Sequence, residues 1–577
     1  MKHPLALLLL FCFPLAARPE APPDLIVHNA KVVTLDAKSR IAQALAVRNG
    51  RIVAVGDSAA LLKQRGPITK VIDARGKTVL PGLYDSHVHP LGAATSEWAA
   101  PLPDLKSLNE VFAYIRKQAA VTPKGEWIVL RYAFPTRLDE ARFPTKAELD
   151  KAAPDHPVLY HAGPAGVVNS RGLARSEITK DTPNPANGVI VKDKVTGEPT
   201  GMLRNAYGPL KGLPRESAKL TADDKREAVK KLFRLYNEQG LTSVADRASS
   251  REALRLYLDL QKRGELTLRV NVAPSFDPYG TRAEIVRRLE ALPGKDKRGG
   301  PSGVGDDWVR IGPIKVFLDG GMLNGTAYMR KPWPRGETYQ VTEDDYRGLL
   351  FIKPAQLSIV AEEAARRKWQ MTAHTAGEGG MDVLLDAYEV VNRLVPIKDL
   401  RFCITHANFP SRRNLERCKE LGVCADVQPA WLYKDGATLL RVLGAERVRW
   451  FQPYKSWLDY TVIGGGSDHM LRFDPLKSTN PWHPWLGIWV ALTRSTERGA
   501  PLVPSEKLTR EQALRLYTIN NAYLHHEEKK KGTLEVGKLA DLILVDRDVL
   551  TCPVDDVRHT RVLTTIVGGK IVYQRKE

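Results

Sequence analysis

Thr78-Val79-Leu80-Pro81-Gly82-Leu83-Tyr84-Asp85-Ser86-His87-Val88-His89 is the stretch whose reading decides the fold. It reads as a buried strand that ends in two histidines. Residues i and i+2 of a strand project to the same side, so His87 and His89 aim two imidazoles at one point. That is part of a metal site. A histidine pair at this spacing is also common on surfaces and in cores, so its meaning depends on whether the rest of the chain supplies more ligands.

Outward from this stretch the chain alternates strands and helices. Strand-like runs follow at Leu241–Asp246, Leu266–Ala273, Val309–Asp319, Gln370–His374, Arg401–His406, Gly422–Gln428 and Asp459–Asp468. Helical stretches lie between them, such as Asp223–Gln239, Arg251–Arg263, Ala355–Arg367 and Gly379–Arg393. With the first strand this makes eight, the pattern of a (β/α)8 TIM barrel in the α/β class. The first connection, from about residue 94 to 214, is long and carries strands of its own, including Glu126–Leu130 and Pro157–Tyr160. An insertion after a barrel strand falls on the catalytic face and shapes a pocket there.

Further ligand types fall at the C-terminal strand ends, where active sites of this fold gather. His374 ends the fifth strand, His406 the sixth and Asp468 the eighth. For each histidine alone a structural or surface role is the more common reading. Four histidines and an aspartate on one rim are hard to explain as packing, because buried polar groups are costly unless paired or liganded. Lys315, in Ile314-Lys315-Val316-Phe317-Leu318-Asp319-Gly320, is a lysine inside an apolar strand. One explanation is carboxylation by CO2, which makes it an anionic oxygen ligand. The other is a salt bridge, for example to Asp319 or Asp246.

The two ends share a different texture. Residues 24–80 form short β segments with turns such as Asn49-Gly50, and Ala540–Val545 and Val562–Tyr573 repeat the pattern around Gly568-Gly569. We therefore expect a small β-sandwich built from both termini, residues 24–80 and 531–577, around a barrel at 81–530. Residues 1–17 read as a signal peptide: Lys2 and His3 precede the apolar run Leu5–Leu15 and the small residues Ala16-Ala17. Export to the periplasm or out of the cell is the expectation. No later run is long and apolar enough to span a bilayer.

The net charge of +20 raises the question of nucleic acid, but the basic residues are dispersed and no recognition motif accompanies them. The charge is read as surface character, with no nucleic-acid partner. Cys403, Cys418, Cys424 and Cys552 fit no zinc module and are too few for a disulfide scaffold.

On these motifs the chain resembles the amidohydrolase superfamily, in its YtcJ-like branch with N-substituted formamide deformylases. The resemblance runs from about Leu25 to Tyr573. It is carried by Pro81–His89, Lys315 through Asp319-Gly320, His374, His406, Gly466-Ser467-Asp468 and Gly532–Asp541. Four departures stand out. Thr405 occupies a position where the branch commonly has Glu, and Gly377-Glu378 one where it often has Gly-Asp. Gly163-Pro164-Ala165 replaces a region that usually carries a histidine, and His469 after Asp468 is unusual.

The resemblance implies metal-assisted hydrolysis of a carbon–nitrogen bond in an amide, formamide or N-acyl amine. It implies one divalent ion at His87, His89 and Asp468 and a second at His374 and His406, bridged by carboxylated Lys315. Asp468 is then the general acid and base. Zinc is the first expectation, with iron and manganese also suited to such ligands, in one or two ions. Tyr132, Asn169, Arg204, Trp431 and Arg494 are substrate-binding candidates, each of which serves equally well as scaffold. Arg494 has the geometry to bind a carboxylate. The partners expected are a small-molecule substrate and, as an assembly, a homodimer. The rival functions are the same barrel acting on a cyclic imide, lactone, ester or phosphoester, and a binding protein on a degenerate barrel.

Overall fold

A computed structural model describes residues 21–98, 101–214, 220–292, 302 and 304–576. The signal-peptide reading of residues 1–17 lies outside these. Eight parallel strands form the barrel. Leu83–Val88 pairs with Leu241–Ser249, which pairs with Arg269–Pro274, which pairs with Val309–Ile311. The fourth strand resumes as Ile314–Phe317 and continues through Met371–Thr375, Cys403–His406 and Cys424–Val427 to Ile463–Gly465. Val88 bridges His469, and the Asp468 amide donates to the His87 carbonyl at 2.7 Å, which closes the ring.

The fourth strand departs from the continuous run expected over Val309–Asp319. It breaks at Gly312-Pro313 because proline has no amide to give the ladder. Gly312 also sits against Asn271, whose Oδ1 would lie 2.0 Å from any Cβ placed there. Past the break, Ser275 bridges Lys315, so the third and fourth strands rejoin at the rim.

The helices cover the barrel through amphipathic faces. Ala222–Glu238 starts at a capping box between Thr221 and Asp224 and buries Ala228, Val229, Leu232, Phe233 and Tyr236. The insertion folds its own five-stranded sheet, Ile128–Arg131, Val158–Ala162, Ala165–Val168, Pro199–Arg204 and Val189–Lys192. It is tied to the rim where Asn324, after the fourth strand, donates to the Ala162 carbonyl at 2.7 Å.

Two further sheets hold the chain ends. One has Leu25–His28, Ala44–Arg48, Arg51–Gly56 and Lys70–Asp73. The other joins Lys31–Val33, Ile41–Ala42 and Thr78–Pro81 to Leu542–Val545, Val562–Val567 and Lys570–Gln574. Leu25, Val27, Val32, Leu45, Val79, Leu542 and Ile566 share one apolar cluster. A buried bidentate pair, Arg269 to Asp541 at 2.7 and 2.8 Å, joins this unit to the barrel. Among the described residues the cysteines are free thiols, and no helix is long and apolar enough to cross a membrane.

Candidate metal centre

The first strand delivers His87 and His89 from its end, and the turn after the eighth strand delivers Asp468. The Nε2 atoms of His87 and His89 lie 3.2 and 3.1 Å from the same oxygen, Oδ1 of Asp468. One ligand atom from each of the three falls within 4.8 Å of the others. Asp468 holds a left-handed backbone, φ 55°, which turns its carboxylate back over the rim. Burial pushes its carboxyl above the usual range, against the hydrogen bond from His89.

Asn480 fixes the other side of this carboxylate. Its Nδ2 donates to the Asp468 carbonyl at 2.7 Å and to Oδ2 at 3.2 Å. Arg137 of the insertion in turn donates to Asn480 Oδ1 at 3.1 Å, while gripping Asp435 through two bonds of 2.9 Å. The insertion therefore reaches Asp468 through a chain of side chains.

The fifth and sixth strands bring His374 and His406 to ring centroids 4.4 Å apart, and His406 lies 5.0 Å from His87. His374 Nε2 donates to the Gly320 carbonyl at 3.2 Å, which leaves Nδ1 as its lone-pair nitrogen. His406 Nδ1 faces Gln428 Oε1 at 2.7 Å, which leaves Nε2. Burial pulls His374 down to about 3, so its ring is neutral, as a metal ligand requires.

Lys315 is fully buried, and among the described residues its Nζ has no hydrogen-bond partner. Burial pulls its amine down to about 7, against the attraction of the Asp426 carboxylate. Among the described residues this lysine pairs with neither Asp319 nor Asp246. Asp319 spends its oxygens on the amides of Tyr328, Ala376 and Gly377, and Asp246 spends one on the hydroxyls of Ser249 and Tyr257. An orphaned buried amine beside two lone-pair imidazoles, and a His-His-carboxylate cluster next to it, fit a divalent cation held by nitrogen and oxygen.

The substrate-binding candidates divide. Trp431 stacks on His406 at 4.6 Å and 17°, so it stands at the centre. Tyr132 lies edge-on to His161, 5.5 Å away, in the insertion. The other three are corrected to scaffold. Asn169 caps the helix Ser170–Arg175, its Oδ1 accepts from Val158 N, and its Nδ2 donates to His156 O, so it is held by backbone on both sides. Arg204 is held by Glu343, the Gln340 carbonyl and the face of Tyr346. Arg494 gives its guanidinium to the carbonyls of Leu502, Gln452 and Phe451, which hold it in the scaffold. Two departures also find structural reasons. Thr405 pairs with Thr372 at 2.7 Å, and His469 is held between Tyr236 and the Arg472 carbonyl, away from the ligand cluster.

Several residues at the centre were not singled out from sequence: Asp426, Gln428, Arg247, Asn480 and Phe317. Asp426 was visible as a charge inside a strand run, whereas Arg247 falls just past the run read as Leu241–Asp246 and is in the strand only because that strand extends to Ser249. Phe317 was visible as i+2 from Lys315, which puts it on the same face. Its ring is 43% exposed and lies 5.6 Å from His374.

The model of the Amidohydrolase family matches residues 70–573. The chain belongs to the amidohydrolase family. It is an enzyme of that family, with the fold of metal-dependent hydrolases. An N-substituted formamide deformylase of Arthrobacter pascens is 30% identical over 561 residues, covering 96% of this chain and 98% of the relative. The YtcJ protein of Bacillus subtilis is 26% identical over 565 residues, covering 95% and 99%. These two relatives agree with the YtcJ-like branch of this amidohydrolase family. In fold, a metal-dependent hydrolase of Pyrococcus horikoshii superposes with a TM-score of 0.64 at 24% identity, covering 92% of this chain and 99% of that one.

Proposed function

We propose that this amidohydrolase hydrolyses the carbon–nitrogen bond of a small amide, formamide or N-acyl amine. The observation that carries the reading is the convergence of His87, His89 and Asp468 beside Lys315, His374 and His406 on one rim. His87, His89 and Asp468 would hold one divalent ion, and His374, His406 and Lys315 a second. Zinc is proposed, since imidazole and carboxylate suit it. Lys315 is proposed to be carboxylated, because a buried amine without a partner is the form that takes up CO2. When bound, such an ion acidifies water and polarises a carbonyl.

The protein's own residues do the rest. Asp468 takes a proton from the attacking water as the new C–O bond forms, and returns it to the amine nitrogen as the C–N bond breaks. Asn480 keeps the carboxylate aimed during both transfers. Phe317 and Trp431 offer apolar walls to the group carried on nitrogen, and Tyr132 a further contact from the insertion. Export to the periplasm or the medium, read from residues 1–17, belongs to the same proposal, and so does a homodimer.

Metal analysis of the purified protein, followed by a panel of formamides, N-acyl amines, cyclic imides and esters, tests it. Hydrolysis of the amide or formamide members, with one or two ions per chain, is the expected result. Cleavage of esters or lactones alone would overturn the assignment of the bond.

A further inference from the structure

We propose that Asp426, aimed by Arg247, is the positioning carboxylate that ties the two histidine pairs into one centre. Asp426 sits inside the seventh barrel strand, and both residues are buried within the barrel. Its two oxygens face different pairs. Oδ1 accepts the backbone N–H of His406 at 3.0 Å. This bond matters because His406 and Ala407 hold left-handed backbones, φ 77° and 45°, which residues with side chains avoid unless something holds them.

Oδ2 lies 3.5 Å from His87 Nδ1 and 3.1 Å from Arg247 Nη2. Arg247 is itself anchored by its Nε, which donates to the Ser86 carbonyl at 2.9 Å. His87 Nδ1, Asp426 Oδ2 and Arg247 Nη2 have no other partner among the described residues. Three buried polar atoms that lie against one another with no further hydrogen-bond partner are costly unless they pair. They pair when the ring proton of His87 sits on Nδ1. The lone pair is then on Nε2, the atom 3.2 Å from Asp468 Oδ1. A partner behind a ligand histidine fixes its tautomer and ring angle in this way. Asp426 is not one of the clustered ligand groups, so it acts through His87 and His406.

This inference rests on the metal centre proposed above. The test uses the full-length protein, stripped of metal and reloaded with Co2+. Affinity is read by competition with a chromophoric chelator, and ligand geometry by the visible d–d bands. Asp426→Asn keeps an oxygen for the His406 amide but can turn an N–H toward His87 Nδ1, which favours the wrong tautomer. Co2+ binding weakened by roughly 10–100-fold, with displaced bands, is expected for it. Arg247→Gln moves both readouts the same way by less. A merely structural role lowers the melting temperature of the metal-free protein and leaves the bands in place. Bands and affinity unchanged in both variants would overturn the proposal. Should Asp426→Asn fail to melt cooperatively, Arg247→Gln decides alone. Wild-type protein that takes up no Co2+ would overturn the metal centre itself, and this inference with it.

Discussion

His87 and His89 share one oxygen of Asp468, at 3.2 and 3.1 Å, whereas the rings of His374 and His406 lean on a carbonyl, an amide and an indole face. The first pair is assembled where the barrel closes and brings its own negative charge. The second is assembled across two adjacent strands, and the group beside it is a lysine with no hydrogen-bond partner among the described residues. A cation placed between neutral imidazoles needs compensating charge in a buried site. The first half-site has that charge at the outset, while the second acquires it only if Lys315 becomes an anion. The two halves of the rim should therefore differ in affinity and in what they need to fill.

Asp468→Asn attacks the first half directly. Its turnover is expected to fall by about 10²–10⁴-fold, the range of a lost general acid and base. Steady-state rates beside metal content check this, and near-normal turnover would remove Asp468 from the proton path. Next, His89→Ala should empty the tighter half-site, while His374→Ala should leave one ion in place. Elemental analysis after graded chelation reads the difference, and the opposite order of loss would invert the comparison.

Lys315→Met should abolish the second ion alone and remove any benefit of bicarbonate during reloading. If wild-type loading ignores bicarbonate, carboxylation is not how the second half gains its charge. Trp431→Ala should weaken the second half by about 2- to 13-fold, since a stacked ring contributes on the order of 0.5–1.5 kcal/mol. Equal weakening of both halves would show that Trp431 supports the rim as a whole. Arg494→Met should leave both halves unchanged while lowering stability by about 1–3 kcal/mol, because it leaves buried carbonyls unpaired. A changed metal count in that variant would return Arg494 to the site.

The gathering of these residues was legible because strand ends in a barrel all point to one rim. The i, i+2 spacing of His87 and His89 and the terminal places of His374, His406 and Asp468 needed no tertiary knowledge. The residues behind them were harder to read. Asp426 stands in Val423-Cys424-Ala425-Asp426-Val427, and a charge in so apolar a run carries the same signal as Lys315. Gln428 and Asn480 carry none, since an amide becomes informative only when its partner is known. The three misread candidates fail for a shared reason. Asn169 and Arg494 meet backbone groups, and Arg204 meets a carboxylate, a carbonyl and a ring, all of whose positions depend on how distant segments pack. Arg494 is itself the left-handed cap, φ 61°, of the helix Pro484–Thr493, a role open to many residue types.

The pairing of Thr78–Pro81 with Leu542–Val545 has a consequence for how the enzyme is made. The lead-in to the first ligand strand finds its neighbour only near the far end of the chain, with the barrel and insertion between them. Contacts of such sequence separation form late and slowly. A ribosome releases His87 early, but the strand that seats it stays half-paired until synthesis is almost finished. During that interval its exposed edge is open to mispairing. Shortening the chain past Leu542 would thus disturb the entry to the catalytic strand, at the opposite end of the sequence from the cut.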